Sequence, residues 1–157
     1  MKKIKKNISG YTLEDFDDQG FLKVGFLGWV IILAMTHEYW VLVGTIFSRS
    51  SGMIGLMWGD SLFKRNLLTQ LPSLLILFVA INRKAGLGKI QSFLWKSGRV
   101  LLSISAIASI LSLIPIISGV NIGTDEGELL VSFLKFLLFG FCFCWIVLSK
   151  RSKDLFK

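Results

Sequence analysis

Four long apolar stretches alternate with charged connections along this chain. They cover residues 24–47, 66–82, 100–120 and 129–149. The last two, of about 21 residues each, match the hydrocarbon core of a bilayer at roughly 30 Å, and the first is long enough to cross it with some tilt. We therefore predict an all-α polytopic membrane protein, a single domain built as a four-transmembrane-helix bundle, with residues 1–23 as a cytoplasmic lead-in.

The second stretch is short for a span, and the basic residues decide how it is interpreted. Its 17 or so residues reach only about 26 Å, and Gln70 and Pro72 interrupt it, so a re-entrant or buried segment is the alternative. If it crosses and the N-terminus is cytoplasmic, the lysines and arginines of the lead-in, of the loop over residues 83–99 and of the tail share one side. Only Arg49, Lys64 and Arg65 then flank the other side. If it does not cross, this bias reverses, so the positive-inside rule favours four spans with both termini inside.

Composition agrees with a membrane protein and argues against a nucleic-acid-binding module. The chain is 53% hydrophobic and 18% charged, whereas soluble domains carry about 25% charged residues. The net charge of +8 comes from residues that flank apolar runs, so topology and anionic lipid headgroups explain it, and no nucleic-acid partner is expected. Cys142 and Cys144 are two apart in one predicted helix and point to different sides, which argues against a disulfide.

Two charged residues lie inside predicted spans. Glu38, beside His37, is near the middle of the first span, and Lys135 is inside the fourth. A charge at such a depth costs about 2.5–3.5 kcal/mol unless it is paired or hydrated. Counted from the outer ends, the two residues lie at depths of roughly 14 and 10 Å, so we predict an intramembrane pair of Glu38 and Lys135 with His37 alongside. Its role is either to fix helix packing or to form a proton or ion pathway.

Small polar residues mark one face of the third span. Ser105, Ser109 and Ser112 share this face and are expected to let a neighbouring helix pack closely, in preference to lining a pore. The sequence holds no complete catalytic or metal-binding motif: the zinc-protease pattern that starts at His37 has Val41 where it needs a second histidine. We therefore expect no enzyme activity, no metal and no cofactor.

One stretch resembles a known family. The residues that carry the resemblance are 15–23 (Asp-Phe-Asp-Asp-Gln-Gly-Phe-Leu-Lys), then Trp29, His37 and Trp40. They resemble an uncharacterised family of bacterial inner-membrane proteins, domain of unknown function 2919, although Val24 stands where that family often has proline. The resemblance implies a multi-pass protein of the bacterial inner (cytoplasmic) membrane, and it implies no activity.

The expected function is that of a small non-enzymatic accessory or interaction subunit. The soluble segments are too short to bury a catalytic core. The alternative is a small oligomeric transporter or channel in which Glu38 and Lys135 face a polar path. Expected partners are membrane lipids, together with another membrane protein or a second copy of the chain.

Overall fold

In the part of the chain that the structure describes, seven α-helices are joined by short non-helical stretches, and one isolated bridge joins Phe16 and Leu22. This computed structural model describes residues 11, 15–16, 22–48, 59, 61–82, 88–118 and 126–156. The helices are α1 (Phe26–Ala34), α2 (His37–Phe47), α3 (Ser61–Asn82), α4 (Lys89–Lys96), α5 (Gly98–Ile117), α6 (Glu126–Leu148) and α7 (Lys150–Leu155). Most of the predicted lead-in and most of the loop over residues 48–65 lie outside the described residues.

The three long helices α3, α5 and α6 each contain a stretch long and apolar enough to cross a membrane. The pair α1 and α2 meets the same criteria only when taken together, so the described part of the chain has three candidate spans, or four if this pair is one span. One central core joins them, because Ile31, Ile76, Leu102 and Ile146 from α1, α3, α5 and α6 are each at most 1% exposed.

The outer surface of the bundle is apolar. Large exposed side chains include Leu68, Phe78, Val100, Leu111, Leu134 and Phe141, each at least 56% exposed. A soluble monomer rarely shows a continuous apolar surface of this extent. A helix with about 20 predominantly apolar residues is typical of a membrane span.

The helix bounds differ most from the sequence prediction in the first two segments. The second segment is not short: α3 begins at Ser61 and has 22 residues, of which Phe63–Asn82 form the candidate span. The first segment was predicted as one helix over residues 24–47, and here the chain has two helices bent by 69°. The third and fourth segments, predicted over 100–120 and 129–149, form α5 and α6 with ends shifted by a few residues.

Hydrogen bonding at Thr36 accounts for the break in the first segment. Its backbone has φ −117° and ψ 16°, which is outside the helical range, and its hydroxyl bonds to the carbonyls of Ile32 and Leu33 at 3.1 Å each. The indole N–H of Trp40 donates to the same hydroxyl at 3.1 Å. These side-chain bonds replace helix bonds lost at the bend, which is how a helix inside a membrane tolerates a break.

One end of the bundle gathers the N-terminal segment, α4 and α7. Arg151 Nη2 lies 3.1 Å from Asp15 Oδ1, and the Tyr11 hydroxyl donates to Asp154 at 3.2 Å. The indole N–H of Trp95 in α4 donates to the carbonyl of Leu155 at 2.8 Å. We call this the α4–α7 end. Burial and the neighbouring Asp154 carboxylate raise the pKa of Tyr11, which keeps its hydroxyl a donor.

Arg99 ties α5 to α6 close to this end. Its guanidinium donates to the carbonyls of Ile146 and Val147, at 3.0 and 2.5 Å. These carbonyls belong to the last turn of α6, where helix carbonyls lack partners and a positive charge is stabilising.

Candidate functional site: a buried polar cluster

Glu38 and Lys135 lie in direct contact between α2 and α6. Lys135 Nζ is 2.9 Å from Glu38 Oε1. The Glu38 side chain is 6% exposed, whereas that of Lys135 is 31% exposed. The carboxylate is therefore enclosed, and the lysine reaches it from the rim of the bundle with part of its stem uncovered.

The break at Thr36 gives Glu38 its position. Because α2 begins at His37, Glu38 falls in the first turn of this helix, where backbone N–H groups lack partners and a carboxylate is stabilised by the helix dipole. The Thr36 side chain does not cap these groups. Instead Gln70 of α3 supplies the acceptor, with its Oε1 3.2 Å from the backbone nitrogen of Glu38.

Asn66 extends the contacts to two further helices. Its Nδ2 donates to Glu38 Oε1 at 3.3 Å, and its Oδ1 accepts from the Ser112 hydroxyl at 3.0 Å. A hydrogen-bonded chain therefore runs from Lys135 in α6 through Glu38 in α2 and Asn66 in α3 to Ser112 in α5. We call His37, Glu38, Asn66, Gln70, Ser112 and Lys135 the polar cluster.

His37 faces the same glutamine and the same carboxylate. Its Nδ1 is 3.3 Å from Gln70 Nε2, and its Nε2 is 3.1 Å from Glu38 Oε1 without the alignment of a hydrogen bond. Nδ1 also lies 3.2 Å from the carbonyl oxygen of Ala34, so this ring nitrogen stands between an amide group and a carbonyl acceptor. It can accept from the Gln70 amide in one tautomer or donate to the Ala34 carbonyl in the other.

The serine face of α5 packs against α3. Ser105, Ser109 and Ser112 are buried, at 0%, 2% and 7% exposed. The Ser105 hydroxyl donates to the carbonyl of Thr69 at 2.7 Å. The small side chains thus let the two helices approach within hydrogen-bonding distance of the backbone.

Two amides of the cluster were not assigned from the sequence. Gln70 was treated only as an interruption of the second segment, and Asn66 only as its first residue. Their signal was available, because they are four residues apart and so share one helix face inside an otherwise apolar stretch. Arg65 precedes Asn66 in α3, and its side chain donates to the carbonyl of Ser112 at 2.9 Å. This bond adds a further contact between α3 and α5.

The cluster can accept, donate and hold protons. Within the described ranges, no group of three or more His, Cys, Asp or Glu residues could hold a metal ion. Cys142 is buried and Cys144 is exposed, and both are free thiols. The chemistry that the geometry offers is charge neutralisation and hydrogen bonding.

A family model described as protein of unknown function (DUF2919) matches residues 11–157. The match covers all the helices described above, including every residue of the polar cluster. No curated protein and no solved structure matches the chain.

Proposed function

The chain belongs to the DUF2919 family, and from this membership and the geometry of the polar cluster we propose a small, four-span accessory subunit of the bacterial inner membrane. Both termini are cytoplasmic, the protein is not an enzyme, and its partner is another membrane protein or a second copy. The observation that carries this proposal is the enclosed ion pair, in which Glu38 Oε1 contacts both Lys135 and Asn66 and the glutamate side chain is 6% exposed.

Contacts at the α4–α7 end support an even number of spans. Asp15 contacts Arg151, and Trp95 contacts Leu155, so the N-terminal segment, the α3–α5 connection and the C-terminal helix share one end. If α1 and α2 entered and left the bilayer on the same side, three spans would follow and Asp15 would lie across the membrane from Arg151. The positive charge of this end supports its assignment to the cytoplasm.

The positions of α1 and α2 support the same arrangement. Gly25, just before α1, lies against the guanidinium of Arg151 at the α4–α7 end. Glu38, at the start of α2, contacts Asn66 and Lys135, which lie in the first halves of α3 and α6. The bent pair therefore leads from the α4–α7 end toward the opposite end, where α3 begins.

The enclosure of Glu38 supports a structural role for the ion pair. A carboxylate that serves an ion path must exchange partners with water or a passing ion. Glu38 instead accepts from Lys135 and Asn66 and is nearly inaccessible. The pair holds α2 on α6, and the contacts of Glu38 with Asn66 and Gln70 hold it on α3, although the first segment is broken.

The interaction surface proposed for this subunit is the outer face of α6. The apolar membrane-spanning stretch of α6 is 22% buried inside the bundle, whereas the corresponding stretches of α3 and α5 are each 39% buried. A discriminating experiment places a photo-crosslinking residue at Leu137, which is 52% exposed on α6, and at Ile104, which is 53% exposed on α5. We expect one discrete protein adduct in native membranes from Leu137 alone. Lipid adducts alone at both positions would contradict the accessory role.

Topology is tested with single cysteines in a background that lacks Cys142 and Cys144. The substitutions Lys89→Cys and Lys153→Cys lie at the α4–α7 end, and Lys64→Cys lies near the start of α3, all at exposed positions. We expect a membrane-impermeant maleimide added to intact cells to label only the Lys64→Cys variant. Labelling of one α4–α7 position and not the other would exclude the four-span arrangement.

A second function is favoured by the partial exposure of two cluster members. The side chains of Lys135 and His37 are 31% and 25% exposed, so the enclosed carboxylate has titratable neighbours at the bundle surface. This is the geometry that proton transport would use, with Glu38 as the inner site. Proton flux in liposomes containing the purified protein, and its loss in Glu38→Gln, would establish transport in place of the accessory role.

A further inference from the structure

One residue, Trp95, fixes how the short helix α4 is rotated about its own axis. Trp95 is 3% exposed, donates to the carbonyl of Leu155 at 2.8 Å, and packs its ring 4.9 Å from that of Phe156. The helical period then turns Ile90 and Phe93 away from the bundle, where they are 77% and 69% exposed. An aromatic and a branched aliphatic side chain are thus presented outward at the α4–α7 end.

The position of α4 along the bundle sets its depth. Only Ser97 separates it from Gly98, the first residue of α5. The candidate span Gly98–Ile117 has 20 residues, a length of about 30 Å, which equals the hydrocarbon thickness of a bilayer. The end of α4 therefore lies at the boundary between acyl chains and headgroups, where amphipathic helices bury their apolar face.

Two lysines flank the outward aromatic residue. Lys89 is four residues before Phe93 and Lys96 is three residues after it, so both are its neighbours on the helix surface. Both lysines are exposed, and the helix sequence KIQSFLWK contains no acidic residue. An apolar wedge between two cations is complementary to a lipid that carries a negative phosphate above its acyl chains.

We propose that α4 is an interfacial helix that binds an anionic phospholipid of the adjoining leaflet, with Lys89 and Lys96 on the headgroup and Ile90 and Phe93 among the acyl chains. The proposal rests on the membrane position argued above. It assigns to α4 a lipid-binding role that is separate from the polar cluster and from the outer face of α6.

The test measures lipid retention by native mass spectrometry on the full chain. Purified protein is titrated with phosphatidylglycerol or phosphatidylcholine at low ionic strength. We expect the parent to retain phosphatidylglycerol preferentially, and the K89Q/K96Q variant to lose about tenfold in apparent affinity for it. The matched control K64Q removes an exposed lysine from α3, away from the α4–α7 end, and should keep the parent preference. The I90S/F93S variant should retain less of both lipids.

Three outcomes would overturn the inference. They are an unchanged preference in K89Q/K96Q, an equal loss in K64Q, or displacement of the lipid by millimolar inorganic phosphate, which would make the occupant a free anion. Failure of the membrane assignment is a different result: the parent chain would then stay dissolved in buffer without detergent. A parent that requires detergent while K89Q/K96Q keeps its lipid preference would reject the lipid site alone.

Discussion

Lys135 and Glu38, 97 positions apart in the sequence, meet at 2.9 Å between α6 and α2. The two partners are unequally placed, since the carboxylate is enclosed and the ammonium stem is partly exposed. Removal of the lysine leaves a buried charge without its cation. Removal of the glutamate leaves an ammonium group that can reach the surface.

This asymmetry predicts unequal costs for the two single substitutions. We expect Lys135→Met to lower the free energy of unfolding by about 3 kcal/mol and Glu38→Gln by about 1–2 kcal/mol, measured by denaturant unfolding in mixed micelles. The double variant should cost at least about 1 kcal/mol less than the sum of the two. Lys64→Met, at an exposed position of α3, is the control and should stay within about 0.5 kcal/mol of the parent. Additive effects of the pair would show that the contact contributes nothing.

Gln70 is predicted to act as the missing N-cap of α2. In Gln70→Leu the backbone N–H of Glu38 loses its acceptor, which should cost about 1–3 kcal/mol of unfolding free energy for an unsatisfied buried donor. The neighbouring Thr69 hydroxyl donates within its own helix, to the carbonyl of Asn66 at 2.9 Å, so Thr69→Val is the matched control. Equal stabilities of the two variants would contradict the capping role.

A substitution on the serine face of α5 can distinguish close packing against α3 from the lining of a pore. Ser105 is fully buried with its hydroxyl 2.7 Å from the carbonyl of Thr69, so Ser105→Leu should force α3 and α5 apart and cost about 1–3 kcal/mol. Ser105→Ala should cost only about 0.6 kcal/mol, the usual value for one hydrogen bond between membrane helices. Ser118→Leu, at an exposed position after α5, is the control for added bulk. A Ser105→Leu variant as stable as this control would favour a water-filled space at Ser105.

The sequence predicts well those helices that depend only on the pattern of neighbouring residues. Apolar runs end where charged residues begin, so α5 and α6 were predicted with ends a few residues from those observed. Counting residues inward from the outer ends of the predicted spans gives Glu38 and Lys135 similar depths, and their side chains are in contact.

The break at Thr36 and the roles of the two amides could not be derived in this way. Residues 24–47 contain no proline, and the three polar residues at positions 36–38 are compatible with a helix, so the local pattern favours one continuous helix. The first turn of α2, just after the bend, is completed by an acceptor from another helix, Gln70, which is brought there only when α3 packs beside α2. Likewise α4 has only eight residues, and its orientation depends on the contact of Trp95 with the distant Leu155.

The first residue of α5 is predicted to be restricted to glycine by the C-terminal aromatic ring. A Cβ on Gly98 would lie 2.5 Å from Phe156 Cε1, so Gly98→Ala must displace this ring from its contact with Trp95. We expect a loss of about 1–3 kcal/mol of unfolding free energy from overpacking. Gly140→Ala is the matched control, because nothing lies within 4 Å of the added atom in the middle of α6. That substitution should be neutral or should stabilise by up to about 1 kcal/mol through helix propensity.

The ring itself can be removed to check that this is the cause. In a Phe156→Ala background the added methyl group at Gly98 meets no aromatic ring, although Ile76 Cδ1 still lies at 3.3 Å. The Gly98→Ala change should then cost less than about 0.5 kcal/mol, since the neighbouring methyl group can yield by a few tenths of an ångström. If Gly98→Ala is as costly without the ring as with it, the clash is not with Phe156, and the close approach of α7 to α5 at this end is not what requires glycine.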